Sequence, residues 1–120
     1  MNFFGRKPAT PALSARDAVA MSKKGEIAII DVRDISEIQE TGKAKNAHHI
    51  PLMLIESHAN PSHPEFNKAL DVTKLVAVYC ASGVRSGMAV RTLVKMGFEN
   101  VHNIGGLQHW HSAGGELVRA

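Results

Sequence analysis

The chain's one cysteine stands in Tyr79-Cys80-Ala81-Ser82-Gly83-Val84-Arg85-Ser86, between an apolar run and the start of a helical pattern. Leu75 to Tyr79 reads as a buried strand, while Met88, Val90, Leu93, Val94 and Met96 recur at helical spacing from Val84 to Met96. Cys80 therefore falls at the strand's carboxyl end. Gly83 can take the positive φ of a tight turn, and successive N–H groups of such a turn point inward at a bound negative charge. A thiol there is expected to ionise more readily than a free one, with the helix terminus and the nearby cation Arg85 both favouring the thiolate. The thiolate is the form that attacks electrophilic sulfur or carbon, so the loop combines a nucleophile with an anion cradle.

The same residues have plainer readings. A lone cysteine is often a small buried hydrophobe, and only its strand-to-helix setting with Gly83 and Arg85 favours chemistry. Asp31 and Arg33 could serve as a catalytic acid and cation. They are expected instead to support structure, Asp31 by accepting from loop amides at a strand end and Arg33 by pairing with Glu37 or another carboxylate. The seven histidines suggest metal at first sight. His48 and His49 are adjacent in an expected strand and point to opposite faces, and His109 and His111 lie two apart on an expected helix, so neither pair makes a ligand set. No metal and no cofactor is expected.

At 120 residues and 44% hydrophobic, the chain suits one domain with one core. It divides into an arm over 1–12, stiffened by Pro8 and Pro11, and a single domain over 13–120. The net charge of +3 comes from scattered basic residues rather than a run, which argues against nucleic acid and suits a small anionic partner. Met1 to Leu13 lacks the apolar core of a signal peptide, and no segment has the roughly 20 apolar residues needed to span a membrane. One cysteine cannot form an internal disulfide. A cytoplasmic location is expected.

The elements that must position Cys80 alternate. Ser14-Ala15-Arg16-Asp17 reads as a capping box opening a short helix that stops near Gly25. Ile27 to Val32 is a continuous apolar run, as in a parallel strand covered on both faces. One or two helical turns over Asp34 to Gln39 precede Gly42, a short strand is expected over Ala47 to Ile50, and Leu52 to Leu70 reads as short helices and turns. After the Cys80 loop and its helix, Val101 to Ile104 is a strand, and Gly105-Gly106 leads into a last helix over Leu107 to Ser112. Trp110 reads as a packing residue, and the paired glycines as a place where backbone approaches closely. Such alternation calls for an α/β fold with a mostly parallel sheet and its ligands at the carboxyl ends of the strands.

Asp31-Val32-Arg33, the Cys80 to Ser86 loop and Gly105-Gly106-Leu107-x-x-Trp110-x-x-Ala113-Gly114-Gly115 follow one another in the order of rhodanese domains. The chain resembles a single-domain rhodanese, or sulfurtransferase, from Leu13 to Leu117. The resemblance implies a mostly parallel central sheet of about five strands flanked by helices on both faces. It also implies that Cys80 carries sulfur as a persulfide, taken from a donor such as the small anion thiosulfate and passed to cyanide, a thiol or a sulfur-acceptor protein. Catalysis would rest on Cys80 and Arg85, with Ala81, Ser82, Gly83, Val84 and Ser86 offering amides to the outer sulfur. Arg85 would either attract the donor or tie the loop in place. Neither nucleic acid nor membrane enters this chemistry.

Two departures from the family pattern stand out. Gly42-Lys43-Ala44-Lys45-Asn46-Ala47 replaces a Gly-His-Ile-Pro-Gly-Ala pattern, leaving Asn46 to take a left-handed turn. Leu52-Met53 stands where a subgroup carries Arg-Gly, which removes a cation that could gather an anionic donor and favours a larger sulfur carrier. Other readings are a binding or redox-sensing module built on the fold and, more weakly, a phosphatase or arsenate reductase. Phosphatases with this loop architecture need one more residue between cysteine and arginine than the four of Cys80-x4-Arg85.

Overall fold

The computed structural model describes residues 12–119. The arm expected over 1–12 lies, except for its last residue, outside the described residues. The chain starts as its capping signal requires. Ser14 Oγ accepts from Asp17 N–H at 3.0 Å and Asp17 Oδ2 accepts from Ser14 N–H at 3.4 Å, opening helix α1 over Ala15–Lys23. Strand β1 (Ala28–Asp31) and helix α2 (Ile35–Thr41) follow, the latter capped by Asp34 and Glu37.

Short strands β2 (Lys43–Ala44) and β3 (Ala47–His49) flank Asn46, which takes φ 70 in the left-handed turn expected of it. A 3-10 turn over Leu52–Leu54 runs into helix α3 (Ile55–His58). Then come β4 (Leu75–Cys80), α4 (Val84–Lys95), β5 (Asn100–Gly106), α5 (Leu107–Ser112) and β6 (Leu117–Val118).

The central sheet has four parallel strands in the order β3-β1-β4-β5, not about five. The residues that would have supplied a further strand form a separate antiparallel pair, with Lys43 opposite Val118 and Ala44 opposite Leu117. At two residues each, β2 and β6 are too short to show alternation in sequence. No described helix is long and apolar enough to cross a membrane.

Alternation along β4 decides what each side chain meets. Val76, Val78 and Cys80 face one core, with Ile30, Ile55, Ala89, Leu93 and Phe98. Ala77 and Tyr79 face the other, with Ile29, Ala18, Val19 and Trp110. The sheet is thus covered on both faces, which explains the unbroken apolar runs of β1 and β4. Because the strands are parallel, their carboxyl ends and following loops gather at one edge: the segment after β3, the start of α2, the Cys80 loop, and the β5–α5 junction.

Candidate active site

Cys80 is the last residue of β4 and pairs in register with Gly106 of β5. Gly83, at φ 105, turns the chain into α4 and serves as its N-cap. That left-handed turn brings the Gly83 N–H to 3.0 Å from Cys80 Sγ, and Ser86 Oγ lies at 3.3 Å on the first turn of α4. Burial pushes the Cys80 thiol up, but the Ser86 hydroxyl and the N–H groups of Ser86, Gly83 and Ser82 outweigh it, leaving the pKa below its ordinary value. Hydrogen bonds to the sulfur hold the thiolate here. Of the amides expected to face an outer sulfur, that of Gly83 donates, in the resting loop, to Sγ itself.

Cys80 is only 1% exposed. The neighbouring loop residues Ala81, Ser82 and Val84 are exposed. A cleft of about 430 Å³ between α2 and α5 runs up to the loop at Ala81, with Glu37, Glu40, Gln108 and His111 along it.

Arg85 does not point at the sulfur as a free cation. Its two terminal nitrogens donate to Glu37 Oε1 at 2.6 Å and Oε2 at 2.9 Å, a bidentate pair that ties the start of α4 to α2. Donation from Arg85 holds the Glu37 carboxyl down at about 2, and Glu37 in turn raises Arg85. Of the partners expected for Arg33, Glu37 or another carboxylate, Glu37 goes to Arg85 and Arg33 takes Asp31.

Arg33 turns back on Asp31. Both are buried, at 2% and 0% exposure, and the guanidinium donates to Asp31 Oδ1 and Oδ2 at 3.1 Å from Nε and to Oδ2 at 2.8 Å from one terminal nitrogen. Its remaining donors reach Thr41 Oγ1 at 2.9 Å and the Gly42 carbonyl at 2.8 Å. Asp31 accepts one loop amide, the backbone N–H of Arg33 at 2.9 Å, just past the end of β1. Tyr79, opposite Asp31 in register, donates its hydroxyl to Oδ2 at 2.5 Å and accepts from Ala44 N–H at 2.9 Å. Burial, and then the Asp31 charge, push the Tyr79 phenol up, so it is a donor and never a phenolate in this setting. This network fastens β1, β4 and the α2–β2 connection beneath the loop.

The sequence reading missed Asn103. From β5 it accepts from Ser86 Oγ at 2.8 Å and Gly105 N–H at 2.9 Å through Oδ1, and donates to the Gly83 carbonyl at 2.8 Å. It thereby sets the angle of the turn that aims Gly83 N–H at the sulfur. The available signal was an Asn within the expected strand over Val101 to Ile104, two residues before the glycine pair. Gly106 is required for another reason: a Cβ there would lie 2.0 Å from the Ala81 carbonyl oxygen. Trp110 is 2% exposed and donates to the Glu116 carbonyl at 2.9 Å, as a packing residue should. Among the described residues no group of three or more His, Cys, Asp or Glu side chains could hold a metal ion.

Comparison with known proteins agrees with this geometry. The rhodanese-like domain family model matches residues 14–113. A thiosulfate sulfurtransferase, GlpE, of Vibrio cholerae is 33% identical over 97 residues, covering 80% of this chain and 83% of its own. Among solved structures, a rhodanese-related protein of Thermoplasma volcanium is 29% identical with a TM-score of 0.71, covering 91% of this chain and 98% of that one. A Rhodopseudomonas palustris protein of unknown function, described as a possible tyrosine phosphatase, is 33% identical with a TM-score of 0.78, covering 89% of this chain and 83% of that one. With the family model matching most of its length, and with a parallel sheet that delivers one cysteine into a short loop opening a helix, this chain belongs to the rhodanese-like domain family.

Proposed function

We propose that the protein transfers sulfane sulfur through a Cys80 persulfide. The observation that carries this reading is the convergence of Gly83 N–H and Ser86 Oγ on a sulfur whose pKa is lowered. With a donor such as thiosulfate, the Cys80 thiolate attacks the outer sulfur. The new bond joins Sγ to that sulfur, the donor's S–S bond breaks, and sulfite leaves with the electron pair. The amides of Ala81, Ser82, Gly83, Val84 and Ser86 hold the charge of the terminal sulfur in place of water. A thiophilic acceptor, cyanide in an assay or a thiol in a cell, then takes the outer sulfur and returns the thiolate. The chain has no second cysteine to resolve the persulfide, so the acceptor comes from another molecule. Asp31 and Arg33 act as structural support, and Arg85 acts on the loop through Glu37.

The name of the curated Vibrio cholerae relative supports this chemistry. The phosphatase description attached to one structural relative is less well matched, since four residues separate Cys80 from Arg85 and Arg85 is held by Glu37 rather than free to clasp a tetrahedral oxyanion.

Intact-mass spectrometry tests the proposal. Incubation with thiosulfate is expected to add one sulfur, about 32 Da, cyanide to remove it, and Cys80→Ser to abolish both steps. A spectrum with no adduct from several sulfane donors would leave a non-turnover binding or sensing module as the better reading.

A further inference from the structure

The loops at the carboxyl edge of the sheet contain two cations, and both are spent: Arg33 on Asp31 and Arg85 on Glu37. No other lysine or arginine occurs in 32–36, 50–56, 80–86 or 105–108. The exposed side chains of these segments are apolar or acidic, with neutral polar groups at Ser36, Ser82 and Gln108 and no positive charge. Met53 is 92% exposed, Val84 69%, Ile35 52% and Leu54 40%. Asp34 and Glu56 are exposed among them, and Glu40 borders the cleft that reaches Ala81. The parallel strands that carry these segments are neighbours in the sheet, at about 5 Å spacing, so the residues share with Cys80 the carboxyl edge of the sheet. This edge is acidic and apolar on a chain whose net charge is +3.

Resting on the sulfur-transfer reading above, we infer that the donor is a protein segment that presents a cysteine persulfide between apolar side chains with basic flanks. A small dianion finds no unpaired cation at this edge among the described residues, and it meets carboxylates on its approach. A polypeptide donor gains from both features: its apolar residues cover Met53, Ile35 and Val84, and its lysines or arginines face Asp34, Glu40 and Glu56. The reaction itself requires such contact, since the sulfur to be moved must be brought to a thiolate at the centre of this surface.

The step balances without an added oxidant or reductant. Cys80 thiolate attacks the outer sulfur of the donor's persulfide, forming the Sγ–S bond as the donor's S–S bond breaks. The donor leaves as a thiolate, and the single negative charge passes from Cys80 to it.

The test uses two synthetic hexapeptides, each persulfidated on its one cysteine, and thiosulfate as the small donor. One peptide carries leucine and phenylalanine beside the cysteine and lysine at both ends; the other carries serine beside the cysteine and glutamate at both ends. Loading of Cys80 is followed by mass spectrometry on the whole protein and on Met53→Lys and Ile35→Lys, whose wild-type side chains are exposed.

The basic, apolar peptide is expected to load the wild type at least tenfold faster than its acidic counterpart. Each lysine variant is expected to slow that peptide severalfold while speeding thiosulfate. Equal rates for the two peptides, or variants that change neither donor, would overturn the inference and leave sulfur transfer standing. Failure of all three donors to load Cys80 would remove the sulfur-transfer reading and the inference with it.

Discussion

Ser86 has one hydroxyl proton and three acceptors within reach of it, Asn103 Oδ1, the Gly105 carbonyl and Cys80 Sγ. In the thiol form the proton goes to Asn103 Oδ1 at 2.8 Å, and Cys80 Sγ, at 3.3 Å, can donate its own proton to Ser86. Once Cys80 ionises, Ser86 serves the sulfur better by turning its proton inward. A hydrogen bond to a charged group contributes about 1.5–3 kcal/mol. Ser86→Ala is therefore expected to slow alkylation of Cys80 at neutral pH by roughly tenfold, with little loss of fold, as followed by iodoacetamide labelling. An unchanged rate would assign the thiolate to the backbone amides alone.

Tyr79 has a structural counterpart to this role, because its hydroxyl bridges Asp31 and Ala44 N–H in the interior. Tyr79→Phe leaves the Ala44 N–H without its acceptor and Asp31 with its Arg33 donors alone, and is expected to cost about 1–3 kcal/mol in denaturant unfolding. Asp31→Ala strands a buried guanidinium and is expected to cost more, about 3–5 kcal/mol.

Cys80, Gly83 and Arg85 were legible from type and spacing. Glu37 was not recognised as the partner of Arg85, Asn103 as that of Gly83 or Tyr79 as that of Asp31, because a partner depends on which strand lies beside which, and the order β3-β1-β4-β5 is not written locally.

The pair that joins α2 to α4 sets the acid behaviour of the loop. Glu37 titrates at about 2 in the folded chain against an ordinary 4.5. A depressed carboxyl pKa stabilises the fold at pH values above the ordinary pKa, and that contribution fades as pH falls from 4.5 toward about 2. Glu37→Gln should narrow its stability gap to the wild type across that window. Because both side chains are about a third exposed, at 32% and 29%, the gap at neutral pH is expected to be at most about 1 kcal/mol by thermal unfolding. The larger consequence is expected in sulfur transfer, where freeing Arg85 loosens the first turn of α4. Glu37→Gln and Arg85→Ala should then slow anionic and neutral donors alike, and a loss confined to anionic donors would give Arg85 a direct role on substrate.

The elements themselves were largely readable. The capping box at Ser14 and the apolar runs of β1 and β4 mark their elements by local chemistry alone. Strands β2 and β6 escaped notice because they exist only by pairing with each other.

One sheet serves two cores, and the chemistry sits where they meet. Cys80 belongs to the core under α3 and α4, while its neighbour Tyr79 belongs to the core under α1 and α5. Leu93, fully buried on α4, couples the helix that opens at the loop to the first of these. Leu93→Ala should cost about 2–5 kcal/mol in denaturant unfolding and lower the unfolding midpoint of the whole domain as one transition.

What this architecture achieves for function is a sulfur that is buried yet ionises more readily than an ordinary thiol, and that claim is open to direct measurement. The rate of Cys80 alkylation by iodoacetamide, followed against pH in the wild-type protein, reports the thiolate population. A midpoint below the ordinary thiol value of 9.0 is expected, with substantial labelling still at neutral pH. A midpoint at or above 9.0 would mean that burial outweighs the Ser86 hydroxyl and the amides around the sulfur, and would contradict the assignment of Cys80 as the nucleophile.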